Sequence, residues 1–513
     1  MSVDDLGGVF LVASAVLLVA IAAVRLSLRL GLPSLLVYLG LGLGIGESGL
    51  GLTFENAQLA GVLGYSALVL ILAEGGLTTR WSTIRASVAP ASLLATLGTV
   101  VSITVTAAAA WLLFGFTWQT ALLLGAVVSS TDAAAVFSVL RTVPLPSRLV
   151  GMLEAESGFN DAPVVIAVVA LTSRALGEPF HGWWLLIGEA LIELAVGATI
   201  GLAVGRLGAE GLRRVALPAS GLYPIAVLAL VVLAYGIAVV SHGSGFLAVY
   251  LSALVLGNVR LPHRAAVRGF AEGLGWVSQI GLFVLLGLLA SPSRLPLAIL
   301  PGIGVGLALL LIARPLSVLA SVTWFKVPLR EQVFLSWAGL RGAVPVVLAT
   351  VPWSRGLPGS IEMFDTVFVL VVVFTLVQGP ALPWVARRLG LAAELEATDL
   401  DVESSPLGTL DADVIQVHVG PTSRLHGVEL FELRLPPRAN VTLVVRGDQP
   451  FVPGPTTSLR HGDDLIVVSA AEVRAAAVQR LVDVSRDGKL AGWLRSAPRV
   501  RRRGSGGRVA PDR

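Results

Sequence analysis

The chain has 513 residues, of which 55% are hydrophobic and only 14% are charged, whereas soluble proteins average about 25% charged residues. Long apolar runs continue to about Leu389 and an ordinary composition follows, which indicates a membrane domain and a small soluble domain. The net charge of +4 does not indicate nucleic-acid binding, because most arginines lie in short loops between apolar runs. With no cysteine, disulfides, iron–sulfur clusters and thiolate metal sites are excluded.

Thirteen apolar segments are long enough, or nearly so, to cross a bilayer as helices. They cover residues 7–24, 33–46, 60–78, 88–114, 119–140, 149–173, 182–205, 222–240, 243–259, 270–290, 295–323, 331–353 and 364–386. Loops after odd-numbered segments carry sixteen Arg and Lys residues, and loops after even-numbered segments carry three. Because positive loops stay in the cytoplasm, this alternation predicts a multi-pass plasma-membrane protein with its N-terminus outside and its C-terminus in the cytoplasm.

Two of these segments contain polar interruptions. The fifth is broken by Ser129–Asp132 and the twelfth by Gly339–Gly342. Transporters built from inverted repeats often contain helices that are broken near the middle of the membrane. The two segments are seven apart and therefore cross in the same sense, so an inverted repeat needs an offset or a re-entrant segment. The sequence leaves that choice open.

Asp161 lies about 12 residues into the sixth segment, which is roughly 18 Å at 1.5 Å per residue and near the middle of a core about 30 Å thick. A carboxylate at this depth costs about 3 kcal/mol, so we expect it to bind protons or cations. Ser157, four residues earlier, shares its helical face and is predicted to offer an oxygen ligand. Glu156 and Asn160 lie on the neighbouring face and are predicted to contact protein.

Hard monovalent cations need several oxygen ligands. If the fifth segment unwinds, Asp132 and Thr131 can supply them, together with freed backbone carbonyls. Arg341 stays charged at any accessible pH and needs a buried partner, for which we predict Glu156. Glu154, two turns towards the cytoplasm, is predicted to line a cytoplasmic funnel. The six histidines are scattered, so we expect no metal site other than that for a transported cation, and no cofactor.

Less specific interpretations exist for several of these residues. Asp161 could be a helix-packing residue, and Asp132 could orient the site without touching an ion. Arg314, within the eleventh segment, is expected to extend towards the membrane interface. A potassium channel or a cation uniporter is an alternative, although the T-V-G-Y-G filter of potassium channels is not present. An intramembrane protease would need an aspartate dyad, for which only Asp132 and Asp161 are candidates.

The three motifs together resemble the cation:proton antiporters of the NhaP type over residues 1–390. They are Ser130-Thr131-Asp132, Glu156-Ser157-x-x-Asn160-Asp161 and Gly339-Leu340-Arg341-Gly342. The resemblance implies an all-α inverted-repeat antiporter fold of thirteen spans, a homodimer in the lipid bilayer, and a core domain that moves against a scaffold. It also implies alternating access that exchanges K⁺ or Na⁺ for H⁺.

In that family the aspartate corresponding to Asp161 is the shared proton and cation site. The resemblance further implies that Glu156 pairs with Arg341 and that three residues assist in cation binding, namely Asp132, Thr131 and Ser157. Electrogenic relatives carry Asp-Asp where this chain has Asn160 and Asp161. With one titrating carboxylate, we expect electroneutral one-for-one exchange, which requires Asp161 to titrate near the working pH.

Short alternating apolar runs after residue 411 predict strands, followed by a helix over 471–482. Residues 411–485 resemble the TrkA-C regulatory domain, through Gly427-Val428-Glu429-Leu430 and the stretch Leu459–Val468. The resemblance implies a small α/β cytoplasmic domain that dimerises or binds a small regulator such as a nucleotide. Residues 391–410 are predicted to be a polar linker. The basic end, 486–513, is expected to be disordered, with anionic lipid as a partner.

Overall fold

The structure is a computed structural model, and it describes residues 3–30, 34–47, 49, 51, 54, 56–132, 136, 145–178, 182–391, 402–406, 412–420, 423–447, 449–470 and 472–489. The chain forms two compact units, Met1–Ala393 and Glu394–Arg513. The predicted basic tail lies almost entirely outside the described residues.

The first unit is helical. Its α-helices are α1 (Val3–Leu30), α2 (Ser34–Ile45), α3 (Ala57–Thr78), α4 (Trp81–Ile84), α5 (Val88–Leu93), α6 (Thr99–Phe114), α7 (Trp118–Val127), α8 (Ser147–Ala175), α9 (Trp183–Arg214), α10 (Leu222–Val240), α11 (Gly245–Asn258), α12 (Arg264–Leu289), α13 (Leu295–Ala308), α14 (Arg314–Val322), α15 (Leu329–Trp337), α16 (Ala343–Ser354) and α17 (Ser360–Arg388). The π-helical turns Leu94–Gly98 and Leu309–Ala313 join α5 to α6 and α13 to α14, and the 3₁₀ turn Thr323–Phe325 follows α14.

Long apolar runs form these helices because an α-helix satisfies its own backbone hydrogen bonds in lipid. Their ends carry polar caps. Asn56, Thr117 and Ser244 accept hydrogen bonds from backbone N–H groups in the first turns of α3, α7 and α11, as N-cap residues do.

Seven helices in the described part of the chain are long and apolar enough to cross a membrane. They are Ala57–Thr78, Val88–Phe114, Trp183–Arg214, Leu222–Val240, Arg264–Leu289, Leu295–Phe325 and Ser360–Arg388. Shorter apolar helices accompany them, including α2, α7, α11 and α16. Several apolar helices are therefore present, as a polytopic membrane protein requires.

The helices of this unit pack in two groups. In one group α3, α9 and α10 pack around α11, and α12 packs against α2, α3 and α10, with α1 beside α2. In the other group α4–α8 pack with α13–α17. The groups meet where α16 contacts α3 and where α8 contacts α11. The candidate site lies in the second group, and α11 of the first group borders it.

The second unit contains an antiparallel sheet and one helix. Its strands are β1 (Val402–Pro406), β2 (Ala412–His418), β3 (Ala439–Arg446), β4 (Gln449–Phe451) and β5 (Asp463–Ala470), in the order β1-β2-β5-β3-β4, followed by α18 (Arg474–Asp487). Alternate residues of β2 and β5 are buried, as expected for strands that cover a core on one face. Buried side chains of α18 join that core, among them Leu481.

Strand β1 lies within the segment 391–410 that the sequence assigns to a linker. It pairs antiparallel with β2, from Val402 opposite Val417 to Pro406 opposite Asp413. The sheet therefore begins earlier than position 411. An edge strand can be held by backbone hydrogen bonds to a single neighbour, so a mainly polar sequence gives little signal for it.

Candidate functional site

Two interrupted helices meet at the centre of the site. Helix α7 ends at Val127 and the chain continues without helix to Asp132, while residues 338–342 separate α15 from α16. The Asp132 backbone N–H donates to the Leu340 carbonyl at 2.9 Å. Both breaks predicted from the sequence are therefore present, and their unwound backbones are hydrogen-bonded to each other.

Close packing at this crossing requires glycine at position 342. A Cβ there would overlap the carboxylate of Asp132. The absence of a side chain thus leaves room for the Asp132 carboxylate against the second break. This is the use of glycine expected where another group approaches the backbone closely.

Helix α8 presents its polar residues to the first break. Ser130 Oγ donates to Asp161 Oδ1 at 2.6 Å, and Asn160 Nδ2 donates to Thr131 Oγ1 at 2.6 Å. Ser157 Oγ donates to the Thr131 carbonyl at 3.1 Å. Asp161 is only 6% exposed, so its carboxylate is enclosed by protein at the point where α8 crosses the unwound segment.

The prediction that Glu156 pairs with Arg341 is wrong, because the partner of Glu156 is Arg314. Glu156 binds Arg314 through two hydrogen bonds, Nη1 to Oε1 at 2.5 Å and Nη2 to Oε2 at 2.8 Å. The two side chains are 3% and 5% exposed. Arg314 was expected to extend to the membrane interface. It instead begins α14 directly after the π-helical turn Leu309–Ala313, and it points into the protein.

Arg341 is satisfied by backbone carbonyls. Its Nε donates to the Val128 carbonyl at 2.7 Å and its Nη1 donates to the Gly339 carbonyl at 2.9 Å. The unwinding of both helices frees these carbonyls, because a helix leaves its last C=O groups without intrahelical partners. Arg341 therefore connects the first break to the second. Its backbone carbonyl accepts a hydrogen bond from Thr375 Oγ1 at 3.2 Å.

The structure brings most of the predicted site residues together. Those around the two breaks are Thr131, Asp132, Glu156, Ser157, Asn160, Asp161 and Arg341. Glu154 is half-buried on α8, two turns from Asp161, where its carboxylate is within electrostatic range of Arg80. Sequence reasoning missed Ser130 and Arg314. The signals for them were the Ser129–Asp132 polar run and a lone arginine inside an apolar segment.

A cavity of about 490 Å³ opens one helical turn beyond Asp161, on the side away from Glu154. Its walls come from α3, α8, α9, α10 and α11 and from the turn between the last two. The lining includes Tyr65, Val165, Glu189, Glu193 and Phe246. Val165 is four residues after Asp161 on α8, so the cavity continues along the helical face that carries the aspartate.

In the C-terminal unit, Arg446 holds Asp463 through two hydrogen bonds of 2.8 Å. The Asp463 side chain is fully buried. Burial opposes its ionisation, but the hydrogen bonds from Arg446 and from the Arg460 backbone outweigh that effect and hold the pKa of Asp463 below its ordinary value. The rings of His426 and His461 stack at 4.1 Å.

Comparison with known families gives two matches. Residues 14–388 match the family described as "Sodium/hydrogen exchanger, transmembrane". Residues 414–481 match the TrkA-C domain. The first match covers the whole of the region in which the two breaks and α8 lie.

Several curated proteins are similar to this chain. The K(+)/H(+) antiporter NhaP of Alkalimonas amylolytica is 42% identical over 410 residues, which are 79% of this chain and 70% of the relative. The K(+)/H(+) antiporter NhaP2 of Shewanella oneidensis is 36% identical over 475 residues, 91% of this chain and 82% of the relative. The Na(+)/H(+) antiporter NhaS2 of Synechocystis is 28% identical over 63% of this chain and 61% of the relative.

Among solved structures, the sodium proton antiporter MjNhaP1 from Methanocaldococcus jannaschii at pH 8 has a similar fold. The TM-score is 0.65 at 21% sequence identity, and the match covers 76% of this chain and 100% of that chain. The membrane unit therefore has the helical fold of an NhaP-like antiporter.

Proposed function

Because the chain belongs to the sodium/hydrogen exchanger family, we propose that it exchanges one K⁺ for one H⁺ across the membrane. Like its named relatives, which are antiporters, it is a secondary transporter and not an enzyme. Two of those relatives are named K(+)/H(+) antiporters and a less similar one is named a Na(+)/H(+) antiporter, so Na⁺ is the second candidate cation. The TrkA-C-regulated channel alternative has no support among them.

The charge balance around Asp161 carries the proposal of one-for-one exchange. Three carboxylates (Asp132, Glu156 and Asp161) lie among two guanidiniums (Arg314 and Arg341). With all three carboxylates counted as ionised, this leaves one net negative charge in a cluster that is buried apart from the half-buried Asp132. Either one proton or one monovalent cation neutralises it, and an uncompensated buried charge is costly. Proton and cation then compete for the same place, and each full cycle moves no net charge.

We assign Asp161 as the shared proton and cation site. Asp132, Ser157 and Thr131 would provide further oxygens, and Ser130 joins them because it already contacts the Asp161 carboxylate. Asn160 would position Thr131 through the hydrogen bond between their side chains. Glu156, Arg314 and Arg341 would support the site without touching the ion, and Glu154 would line the cytoplasmic funnel.

We also propose thirteen membrane crossings, with the N-terminus outside and the C-terminus in the cytoplasm. The alternation of arginine-rich and arginine-poor loops supports this topology. The split of the helices into two groups supports alternating access in which one group moves against the other. We propose a homodimer in the plasma membrane, in which the TrkA-C domain dimerises or binds a small regulatory ligand such as a nucleotide.

Cation-dependent proton release from everted vesicles or proteoliposomes tests the site. Addition of K⁺ or Na⁺ across pH 6 to 9 should give exchange in the wild type and none in Asp161→Asn, with the more effective cation identifying the substrate. The cavity of about 490 Å³ beyond Asp161 lies on the outer side in the proposed topology and is called the outer cavity. Glu189→Gln, on its wall, is the matched control and should retain exchange. Normal exchange by Asp161→Asn would contradict the assignment and shift it to Asp132.

Measurement under a clamped membrane potential tests the stoichiometry. The wild type should exchange at a rate that does not depend on the potential, because one charge moves in each direction. Asn160→Asp adds a second carboxylate beside Asp161 and should make exchange depend on potential. A wild-type rate that changes steeply with potential would refute one-for-one exchange while leaving Asp161 as the site.

A further inference from the structure

Tyr250 of α11 packs directly on the backbone of α8 at Gly158. A Cβ at position 158 would overlap ring atoms Cζ, Cε2 and Cε1 of Tyr250, the last of them at 2.8 Å. The Tyr250 ring also contacts Phe159 edge to face, with ring centroids 5.6 Å apart. Tyr250 is 2% exposed. The ring therefore occupies a seat that exists only because residue 158 has no side chain.

This seat lies between Glu154 and Asp161 along α8. Glu154, Gly158 and Asp161 are at positions i, i+4 and i+7 of α8 and so lie on one face of the helix. Gly158 is about 6 Å along the axis from Glu154 and about 4.5 Å from Asp161, at 1.5 Å per residue. The Tyr250 hydroxyl lies near Thr79, within electrostatic range of Glu154. Its ring thus separates the half-buried Glu154 from the buried Asp161.

We infer that Tyr250 is the inner gate of the exchanger, closed when its ring is seated on Gly158. The inference rests on the proposed function of Asp161. An ion that comes from the side of the arginine-rich loops must pass Glu154 and then the space beside Gly158 that the ring fills. Tyr250 belongs to the first helix group and Gly158 to the second, so relative motion of the groups would lift the ring from its seat and open the path.

Phe246 occupies the corresponding position on the other side of Asp161. It lies four residues before Tyr250, on the same face of α11, and it lines the 490 Å³ outer cavity together with Val165. It is 5% exposed and contacts the ring of Tyr65 with centroids 5.6 Å apart. The two aromatic residues of α11 therefore bracket Asp161, and only Tyr250 faces Glu154.

Side-specific labelling of a single cysteine tests the gate, and the natural absence of cysteine makes this straightforward. Ser157→Cys places a thiol one residue before Gly158, and a membrane-impermeant maleimide is added to everted or to right-side-out vesicles. In everted vesicles, Tyr250→Ala should speed labelling roughly tenfold, the change that loss of one edge-to-face aromatic pair would give. Tyr250→Phe keeps the ring and should label at the original rate.

Two further variants separate gating from loosened packing. Gly158→Ala removes the seat and should speed labelling in everted vesicles as Tyr250→Ala does. A second reporter, Ala170→Cys in the outer cavity, should be labelled in right-side-out vesicles at the same rate with Tyr250 as with Tyr250→Ala. An unchanged Ser157→Cys rate in Tyr250→Ala, with normal labelling of the Ala170→Cys reporter, overturns the gate, as does an equal increase from both sides.

The gate and the proposed function fail independently. Asp161→Asn introduced into the Ser157→Cys protein should leave the effect of Tyr250→Ala on labelling intact. If Asp161→Asn leaves exchange intact in the cysteine-free chain, the site assignment fails. If the labelling rate does not respond to Tyr250→Ala, the gate fails and Asp161 keeps its role.

Discussion

The ion pair between Glu156 and Arg314 gives the sharpest test of the structure against the sequence, because the sequence favours Arg341 as the partner. Both members of the pair are almost fully buried and joined by two hydrogen bonds. Removal of one member leaves the other charge buried without its partner, which costs about 3–5 kcal/mol. Glu156→Gln and Arg314→Gln should each destabilise the protein by about that amount.

The double variant should be far less unstable than the sum of the single variants, because it leaves neither charge uncompensated. We expect a coupling energy of about 3 kcal/mol between Glu156 and Arg314. Between Glu156 and Arg341 we expect about 1 kcal/mol or less, because Arg341 bonds to backbone carbonyls and a more distant charge contributes only a weaker Coulomb energy.

Thermal unfolding in detergent, followed by the fluorescence of the 11 tryptophans, measures both coupling energies through double-mutant cycles. At roughly 2 °C per kcal/mol, the lower end of the range for large domains, each single variant of the pair should lower the melting temperature by about 6–10 °C. Arg341→Gln, alone and combined with Glu156→Gln, is the matched control. A larger coupling for Glu156 with Arg341 than with Arg314 would refute the pairing described here.

Two other predictions follow from single contacts. Gly342→Ala places a methyl group against the Asp132 carboxylate, and cation-dependent proton release should fall at least roughly tenfold, an effect of misplaced reacting groups. Gly236→Ala in α10, where a Cβ would meet nothing within 4 Å, is the control and should not impair it, and equal rates for the two variants would contradict the role of the crossing. Arg446→Gln should lower the stability of the C-terminal unit by about 2 kcal/mol at pH 7. Because the pKa of Asp463 is depressed in the folded protein, this stabilisation is complete above its unfolded pKa of about 3.9 and is lost as the pH falls through the lower folded value. Hydrogen exchange of β5 in the full chain measures it at pH 7 and at a pH low enough to protonate Asp463 in the folded protein, and an equal loss at both pH values would contradict the reasoning.

The interruptions were visible in the sequence because they violate a local rule. Polar and glycine residues inside an apolar segment leave backbone groups that the helix cannot satisfy, so Ser129–Asp132 and Gly339–Gly342 indicated breaks. The depth of Asp161 followed from its distance to the start of α8. The contact of Ser157 with Thr131 agrees with the helical face assigned to Ser157. These features depend on one segment at a time.

The partner of Glu156 could not be predicted in the same way. Arg314 and Arg341 are both lone cations in apolar segments, and the sequence does not say which approaches α8. The π-helical turn Leu309–Ala313 inserts an extra residue into the helical repeat and so changes the face on which Arg314 lies. A helical wheel drawn with a constant 3.6-residue repeat therefore misplaces it. The choice between the two arginines depends on tertiary packing.

The corrected pairing changes the role of Arg341 in the site. If Glu156 held Arg341, the arginine would be a counter-charge on one side of α8. With Glu156 held by Arg314, Arg341 is free to bond to the carbonyls of Val128 and Gly339, one in each break. The positive charge then lies between the two unwound segments, beside the carbonyls that would otherwise be available to a cation. Arg341 thereby occupies those two carbonyls, and in the proposed site a cation would take its oxygens from Asp161 and the side chains around Thr131. Under the proposed function, this arrangement is the reason that a site with two breaks would still need the Asp161 carboxylate on α8 to attract the ion.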